Sequence, residues 1–435
     1  MKAEKSSIRS VITEYVTDPL RRNTIFLIAG GVVSSIFGFF FWMVAARFYP
    51  PSSVGLAVAA ISAVNLLALI SDPGLGIGIM RFLHDEKDKP AMINSCLTIS
   101  GLIALFLALV FIGGLNIWSP ALLFIQQDLI FLLVFVLLTI IATLFWLHND
   151  VFVAFRAAHF SLIQMLIFGL RILLLVFLVR FGTLGIVSSW IVAMGIAVIA
   201  ASFFISRLHP GYHPVPVIRR ETVNRIVHFS FANYIGDSLR LLPGLILPIM
   251  VVNVASQEMS AYFYMGWMIA ALLFMTAYYT GYSLLVEVSH NPQELRVQVM
   301  KAARLILLIL IPAIIVILFA GDFLLSLFGS GYAEEASELL RVLTLSSIPV
   351  AINELYIAVG RVEKKIKPII YIYAFIAIAT VGGGYLLLDA LGLIGIGIAW
   401  LVSHTMVMLI VMPLLARKTE ISVRGLLGKL SGRHR

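Results

Sequence analysis

The sequence predicts an all-α integral membrane protein with twelve transmembrane helices. Three observations carry this: an apolar composition, apolar runs of bilayer length, and basic residues confined to alternate loops. Of the 435 residues 61% are apolar, and the 32 glycines bring the share to about 68%, against about 45–50% in a soluble domain counted the same way. Charged residues are 12%, half of what a soluble surface carries. A soluble fold of this length could not hide so much apolar side chain.

A helix needs about 20 residues at 1.5 Å each to cross the roughly 30 Å hydrocarbon layer. By that measure the spans are Ile25–Ala46, Val54–Ser71, Met92–Gly114, Leu129–Leu147, Phe160–Val179 and Leu184–Ile205 in the first half. Phe229–Val252, Ser260–Val288, Ala302–Ala320, Glu338–Val359, Pro368–Leu388 and Leu391–Leu415 complete the set. The second is short and runs on into Gly74–Leu83, and the ninth has room to extend to Phe328.

Loop charge tests the count independently, because Lys and Arg favour the cytoplasmic side. With the N-terminus inside, 26 of the 31 basic residues fall on the inner side and two, Arg47 and Arg180, on the outer. The other three, Arg171, Arg240 and Arg341, lie within spans. One missed span would scramble this alternation, so both ends are placed in the cytoplasm of a multi-pass cell-membrane protein. The formal charge of +9 is then an orientation signal facing anionic lipid, and nucleic acid is not an expected partner.

The first twenty residues hold Lys2, Lys5 and Arg9 and no apolar run, which predicts no cleavable signal peptide. Ile8, Val11, Ile12, Tyr15 and Val16 instead follow a helical spacing that predicts an amphipathic helix, either on the inner membrane surface or packed under the first span. Cys96, alone in the chain, excludes an internal disulfide and reads as a small buried apolar residue. No soluble domain is appended to any loop, so function must lie among the helices.

A charge at mid-bilayer costs about 2.5–3.5 kcal/mol on insertion scales and therefore needs a reason. Arg171 and Arg240 sit near the centres of the fifth and seventh spans. A guanidinium is permanently charged and offers a planar fork of donors suited to phosphate or diphosphate. The alternative for Arg240 is an ion pair with Asp237, three residues earlier on the same face; Arg171 has no acid on its own helix. Asp237, Glu287 and Glu354 cluster in the second half, either to bind a coupling cation or proton or to neutralise nearby basic groups. His404 reads as a neutral, hydrogen-bonded histidine or a proton carrier.

Pro243 and Pro248 follow Arg240 and each removes a helical hydrogen bond, which predicts a kink that either gates or lines a cavity. Gly382-Gly383-Gly384 predicts close helix packing. His209 and His213, parted by Pro210 and Gly211, do not share a helical face, and His148-Asn149-Asp150 lacks partners at ligand spacing. No metal, cofactor or catalytic constellation is expected, and an enzyme is disfavoured.

The run Ala45-Ala46-Arg47-Phe48-Tyr49-Pro50, then Val54-Gly55, Ser71-Asp72-Pro73-Gly74-Leu75-Gly76 and Arg81-Phe82-Leu83 resembles the first two helices of polysaccharide and oligosaccharide-lipid flippases. That superfamily also contains the multidrug and toxin extruders and the lipid II flippases. The resemblance covers about the first 90 residues. It implies two pseudo-symmetric six-helix bundles around a central cavity: a cytoplasmic tail at 1–22, bundles at 23–206 and 229–416, a basic linker at 207–228 and a basic tail at 417–435.

The resemblance also implies that a polyprenyl-diphosphate-linked oligosaccharide is flipped by alternating access, its diphosphate on Arg171 and Arg240. Arg47 and Arg341, near the outer face, are then either receivers of the phosphates or snorkelling anchors. Membrane lipids and other membrane proteins of polysaccharide assembly are the implied partners. Two departures stand out: no clear repeat relates the halves, and the first span lacks the acid common in multidrug extruders. The rival expectation is a Na⁺- or H⁺-coupled exporter of cationic or amphipathic small molecules.

Overall fold

The computed structural model describes residues 19–290 and 294–419, and the amphipathic segment expected at 8–16 lies outside them. The described residues contain no strand, and twelve helical spans are long and apolar enough to cross a membrane. The protein is therefore an all-α, multi-pass membrane protein.

The first unit, residues 1–234, contains α1 (Pro19–Phe48), α2 (Pro51–Ser71), α3 (Leu75–Phe82), α4 (Lys89–Gly113) and α5 (Leu129–Ala154). It continues through α6 (Ala158–Gly169), α7 (Arg171–Phe177) and α8 (Gly182–Leu208). The next helix, α9 (Arg220–Val254), passes from this unit into the second, which begins at Ile235. The second unit adds α10 (Gln257–His290), α11 (Leu295–Ser326), α12 (Ser330–Val362), α13 (Ile366–Leu391) and α14 (Leu393–Thr419).

Several helices outrun the spans predicted from hydropathy. α9 starts nine residues before Phe229 and α12 eight before Glu338, because hydropathy detects only the stretch matched to hydrocarbon. The expected linker 207–228 is correspondingly shortened to a non-helical stretch at 209–219.

The Ser71-to-Gly76 motif is a helix break. Gly74 takes a left-handed φ of 88°, and the Asp72 carboxylate accepts from the Gly76 amide at 3.1 Å, capping α3. Gly74 and Gly78 also leave room for Ser230 and Ile226 of α9, which pack against them. In the first unit α5 packs on α2, α4 and α8, and α1 lies along α6. Its inner core gathers Leu75, Met92, Cys96, Leu147, Tyr212 and Ile226. Cys96 is fully buried, as expected of a small apolar residue.

The stretch 209–219 is pinned rather than loose. Asn94 Nδ2 donates to the His213 carbonyl at 2.7 Å, and the Arg219 amide donates to Ser95 Oγ at 3.1 Å. Arg219 pairs with Asp88 and Arg225 with Glu86, each at 2.5 Å. The hydrogen bond from Arg225 holds the Glu86 carboxyl below the usual carboxylate range.

In the second unit α12 packs against α10, α11 and α14. It buries Thr344, Ser346 and Ser347, whose hydroxyls return to carbonyls three or four residues earlier and so need no water.

Candidate functional site

Four helices of the second unit bring a set of charges and tyrosines to one place, each by a single stripe. On α9 Asp237 and Arg240 are three residues apart; on α10 Tyr278 and Tyr282 are four apart. On α12 Glu354, Ala358 and Arg361 follow at i, i+4 and i+7, and α13 supplies Tyr373. Gly281 permits the approach of α10 to α12: a methyl group there would lie 3.3 Å from the Glu354 carbonyl.

Arg361 donates to Asp237 Oδ1 at 2.6 Å, linking α12 to α9. The Tyr373 hydroxyl donates to both Glu354 oxygens, at 3.0 and 3.1 Å. Arg240 makes neither an ion pair nor a hydrogen bond with the described residues. Its guanidinium lies 4.0 Å above the Tyr278 ring, and its buried Nε has no partner. The pairing weighed from sequence, Asp237 with Arg240 on one helix face, is thus replaced by a pairing of Asp237 with Arg361. Both carboxylates have other hydrogen-bond partners, and their charges reach Arg240 through space without a direct ion pair. Beside this network a small cleft, with room for about one water molecule, is lined by Tyr278, Gly281, Tyr282, Glu354, Ile357, Ala358 and Arg361.

Arg171, in the first unit, has a different setting. Leu170 interrupts the fifth span just before it, and Gly169 leaves space for the Phe37 ring. The side chain is 4% exposed, with Phe168, Phe41 and Trp190 at 3.7, 4.8 and 4.9 Å from its guanidinium. Its Nη1 donates to the Phe168 carbonyl at 3.1 Å.

The remaining sequence candidates are not among the residues that line the cleft. Arg47 is exposed in the last turn of α1. Arg341 pairs with Asp322 at 2.9 Å, and Ser337 donates to the same carboxylate. Glu287 is exposed on α10. Pro243 and Pro248 lie inside α9, whose helical course continues through both, and the Ser260 hydroxyl donates to the Pro248 carbonyl at 3.1 Å.

Buried histidines are held by hydrogen bonds. His404 Nδ1 accepts from Asn353 Nδ2 at 3.2 Å, and the same amide nitrogen donates to the His404 carbonyl at 3.0 Å. His148 bonds Leu144 O at 2.6 Å and Ser202 Oγ at 3.1 Å. Among the described residues no group of three or more His, Cys, Asp or Glu side chains is placed to hold a metal ion.

Sequence reasoning found Asp237, Arg240 and Glu354 but missed Arg361, Tyr278, Tyr282 and Tyr373. Arg361 was hidden among the basic residues of a loop, although its seven-residue spacing from Glu354 was a usable signal.

Solved structures place the fold. An inward-facing multidrug resistance MATE family transporter of the MOP superfamily is 15% identical, with a TM-score of 0.65, covering 91% of this chain and 97% of that one. The lipid II flippase MurJ, in an inward closed conformation, is 13% identical with a TM-score of 0.72, covering 93% and 89%. A MOP superfamily transporter from Pyrococcus furiosus, described as having a binding pocket of reverse polarity, is 15% identical with a TM-score of 0.55, covering 94% and 98%. No curated protein sequence matches the chain. The fold is therefore that of the MOP superfamily transporters. Two family models match the sequence, MatE over residues 239–386 and polysaccharide biosynthesis protein over residues 20–270. The second spans more than half of the chain, and with it the chain belongs to the polysaccharide biosynthesis protein family.

Proposed function

We propose that the protein flips a polyprenyl-diphosphate-linked oligosaccharide from the inner to the outer leaflet of the cell membrane by alternating access, with both termini cytoplasmic. The observation that carries this reading is Arg240: a permanent cation in a membrane-spanning helix that makes no direct ion pair, although the Asp237 and Glu354 charges act on it through space. Such a group is suited to an anionic headgroup and gains little from a cationic one. Membership of the polysaccharide biosynthesis protein family and a fold shared with a lipid II flippase support a lipid-linked saccharide. Arg361 is the second basic group at the site, and phosphate would have to compete with Asp237 for it. Arg171 serves the first unit as a caged structural cation. The implied partners are the lipid-linked substrate, bilayer lipid and other membrane proteins of polysaccharide assembly.

A second reading is a cation-coupled exporter of cationic or amphipathic molecules. It draws on the MatE match and on the carboxylates of Asp237 and Glu354, with Glu287 further along α10. The engagement of the first two by Arg361 and Tyr373 weighs against it.

The test is reconstitution into liposomes with a labelled polyprenyl-diphosphate oligosaccharide, following its appearance on the opposite face. Flipping lost in folded Arg240→Ala and kept in Asp237→Asn and Glu354→Gln supports the flippase. The reverse pattern, together with export of cationic dyes by wild type, replaces it with the exporter.

A further inference from the structure

We infer that the outward face of α11 binds one anionic glycerophospholipid, its phosphate held between Lys301 and Arg304 and an acyl chain along Leu308, Ile311 and Ile315. The inference is independent of the flippase reading. Val297, Lys301, Arg304, Leu308, Ile311 and Ile315 follow one another at alternating steps of four and three residues, which sets them on one stripe of the helix. Val299, Ile306 and Leu310, on the opposite side, are buried in the second unit. On the stripe Lys301 is exposed, Leu308 is 71% exposed, and Val297, Ile311 and Ile315 are about half exposed.

Arg304 lies in a membrane-spanning helix, yet it makes no ion pair, hydrogen bond or ring contact with the described residues, and its Nε is buried. Arg341 and Arg361 are met by carboxylates, and Arg171 and Arg240 by aromatic rings. A guanidinium without such company is costly in a span unless it reaches phosphate or water. Lys301 likewise makes no ion pair with the described residues. The hydropathy span of this helix begins at Ala302, so the two basic groups stand at the border of the hydrocarbon, where lipid phosphates lie. They are about 4.5 Å apart along the axis, a gap one phosphate bridges, and Ile315 lies about 16 Å beyond Arg304, alongside an acyl chain. Glu294 is about 10 Å before Lys301 along the axis, and its carboxylate accepts from Gln298 Nε2 at 2.9 Å, so it stands clear of the phosphate. A zwitterionic lipid brings its own ammonium beside the phosphate and gains less from the pair.

The experiment is native mass spectrometry of the purified full-length protein, titrated separately with phosphatidylglycerol, phosphatidylcholine and glycerol 3-phosphate. Wild type is expected to take its first phosphatidylglycerol roughly ten- to thirtyfold more tightly than phosphatidylcholine, about fivefold for each basic group, and to hold no glycerol 3-phosphate. Lys301→Gln combined with Arg304→Gln should bring the two lipids within about threefold and leave phosphatidylcholine unchanged. Lys87→Gln combined with Arg207→Gln removes the same charge elsewhere and should keep the preference. A preference that survives at Lys301 and Arg304, or falls equally in both double variants, overturns the inference. Glycerol 3-phosphate bound as tightly as the lipid also overturns it, because the site is then one for free phosphate. A dimer that dissociates when Lys301 and Arg304 are replaced overturns it too, assigning the stripe to a second copy of the chain.

Discussion

Arg171 and Arg240 look alike in sequence, each a lone arginine near the middle of an apolar span. Their surroundings part them. Arg171 is enclosed by Phe41, Phe168 and Trp190, so its charge is met by the faces of aromatic rings. Arg240 lies over the Tyr278 ring and stands near Asp237 and Glu354, whose hydrogen bonds go to Arg361 and Tyr373 while their charges act on it through space. Two arginines at similar depth in their spans therefore have different surroundings. What distinguishes them is the company: aromatic faces around Arg171, and carboxylates and tyrosines around Arg240.

Methionine substitution is the sharpest way to break this comparison, because it keeps length and removes charge. Arg240→Met should leave the protein folded and reduce flipping by roughly ten- to hundredfold, the worth of about 1.5–3 kcal/mol of charged hydrogen bonding. Arg171→Met should flip within about threefold of wild type, since a packed apolar residue often replaces a buried charge without loss. Equal losses in the liposome assay would show that both arginines act on the substrate. Arg171→Ala tests the other half: emptying the cage should lower stability by about 2–4 kcal/mol, seen as a lower thermal midpoint in detergent.

Smaller effects sharpen the account of how Arg240 is left unpaired. A double-mutant cycle of Asp237→Asn and Arg361→Gln should give a measurable coupling of about 0.5–1 kcal/mol, kept small because both side chains are partly exposed. No coupling would mean that Asp237 is available to Arg240 after all. Tyr373→Phe should cost about 0.5–1.5 kcal/mol in stability, one hydrogen bond to Glu354.

The smallest effect lies in the first unit, at Glu86. Its carboxyl is lowered in the folded state by Arg225, so its stabilisation is present above the unfolded value and fades as pH falls through the folded one. The protection of amides 220–230, their exchange corrected for the intrinsic rate at each pH, should therefore fall on acidification in wild type. It should show less pH dependence in Arg225→Gln. Equal acid response in both would remove the ion pair from the account.

The twelve spans were legible because hydrocarbon thickness and loop charge impose independent patterns on the sequence. The extra turns of α9 and α12 were not, since polar helix beyond the hydrocarbon looks like loop to a hydropathy measure. Asp237, Arg240 and Glu354 stood out because charge is costly in an apolar run. Their partners did not. Arg361 is 124 residues from Asp237, and helical spacing shows neighbours on one helix but never contacts between helices. The tyrosines were invisible for a simpler reason: Tyr is unremarkable in a membrane helix, and only its placement gives it meaning.

The pinned stretch 209–219 bears on how the chain could be divided. It is the natural place to split the gene into two co-expressed fragments, one for each set of six helices. Yet Tyr212, Val223 and Ile226, which complete the core of the first unit, follow the start of that stretch. A break at His209 would hand three interior residues of one half to the other fragment. The earlier fragment would then carry an unfilled core until its counterpart arrived. A break after Tyr234 would keep that core whole but cut a helix.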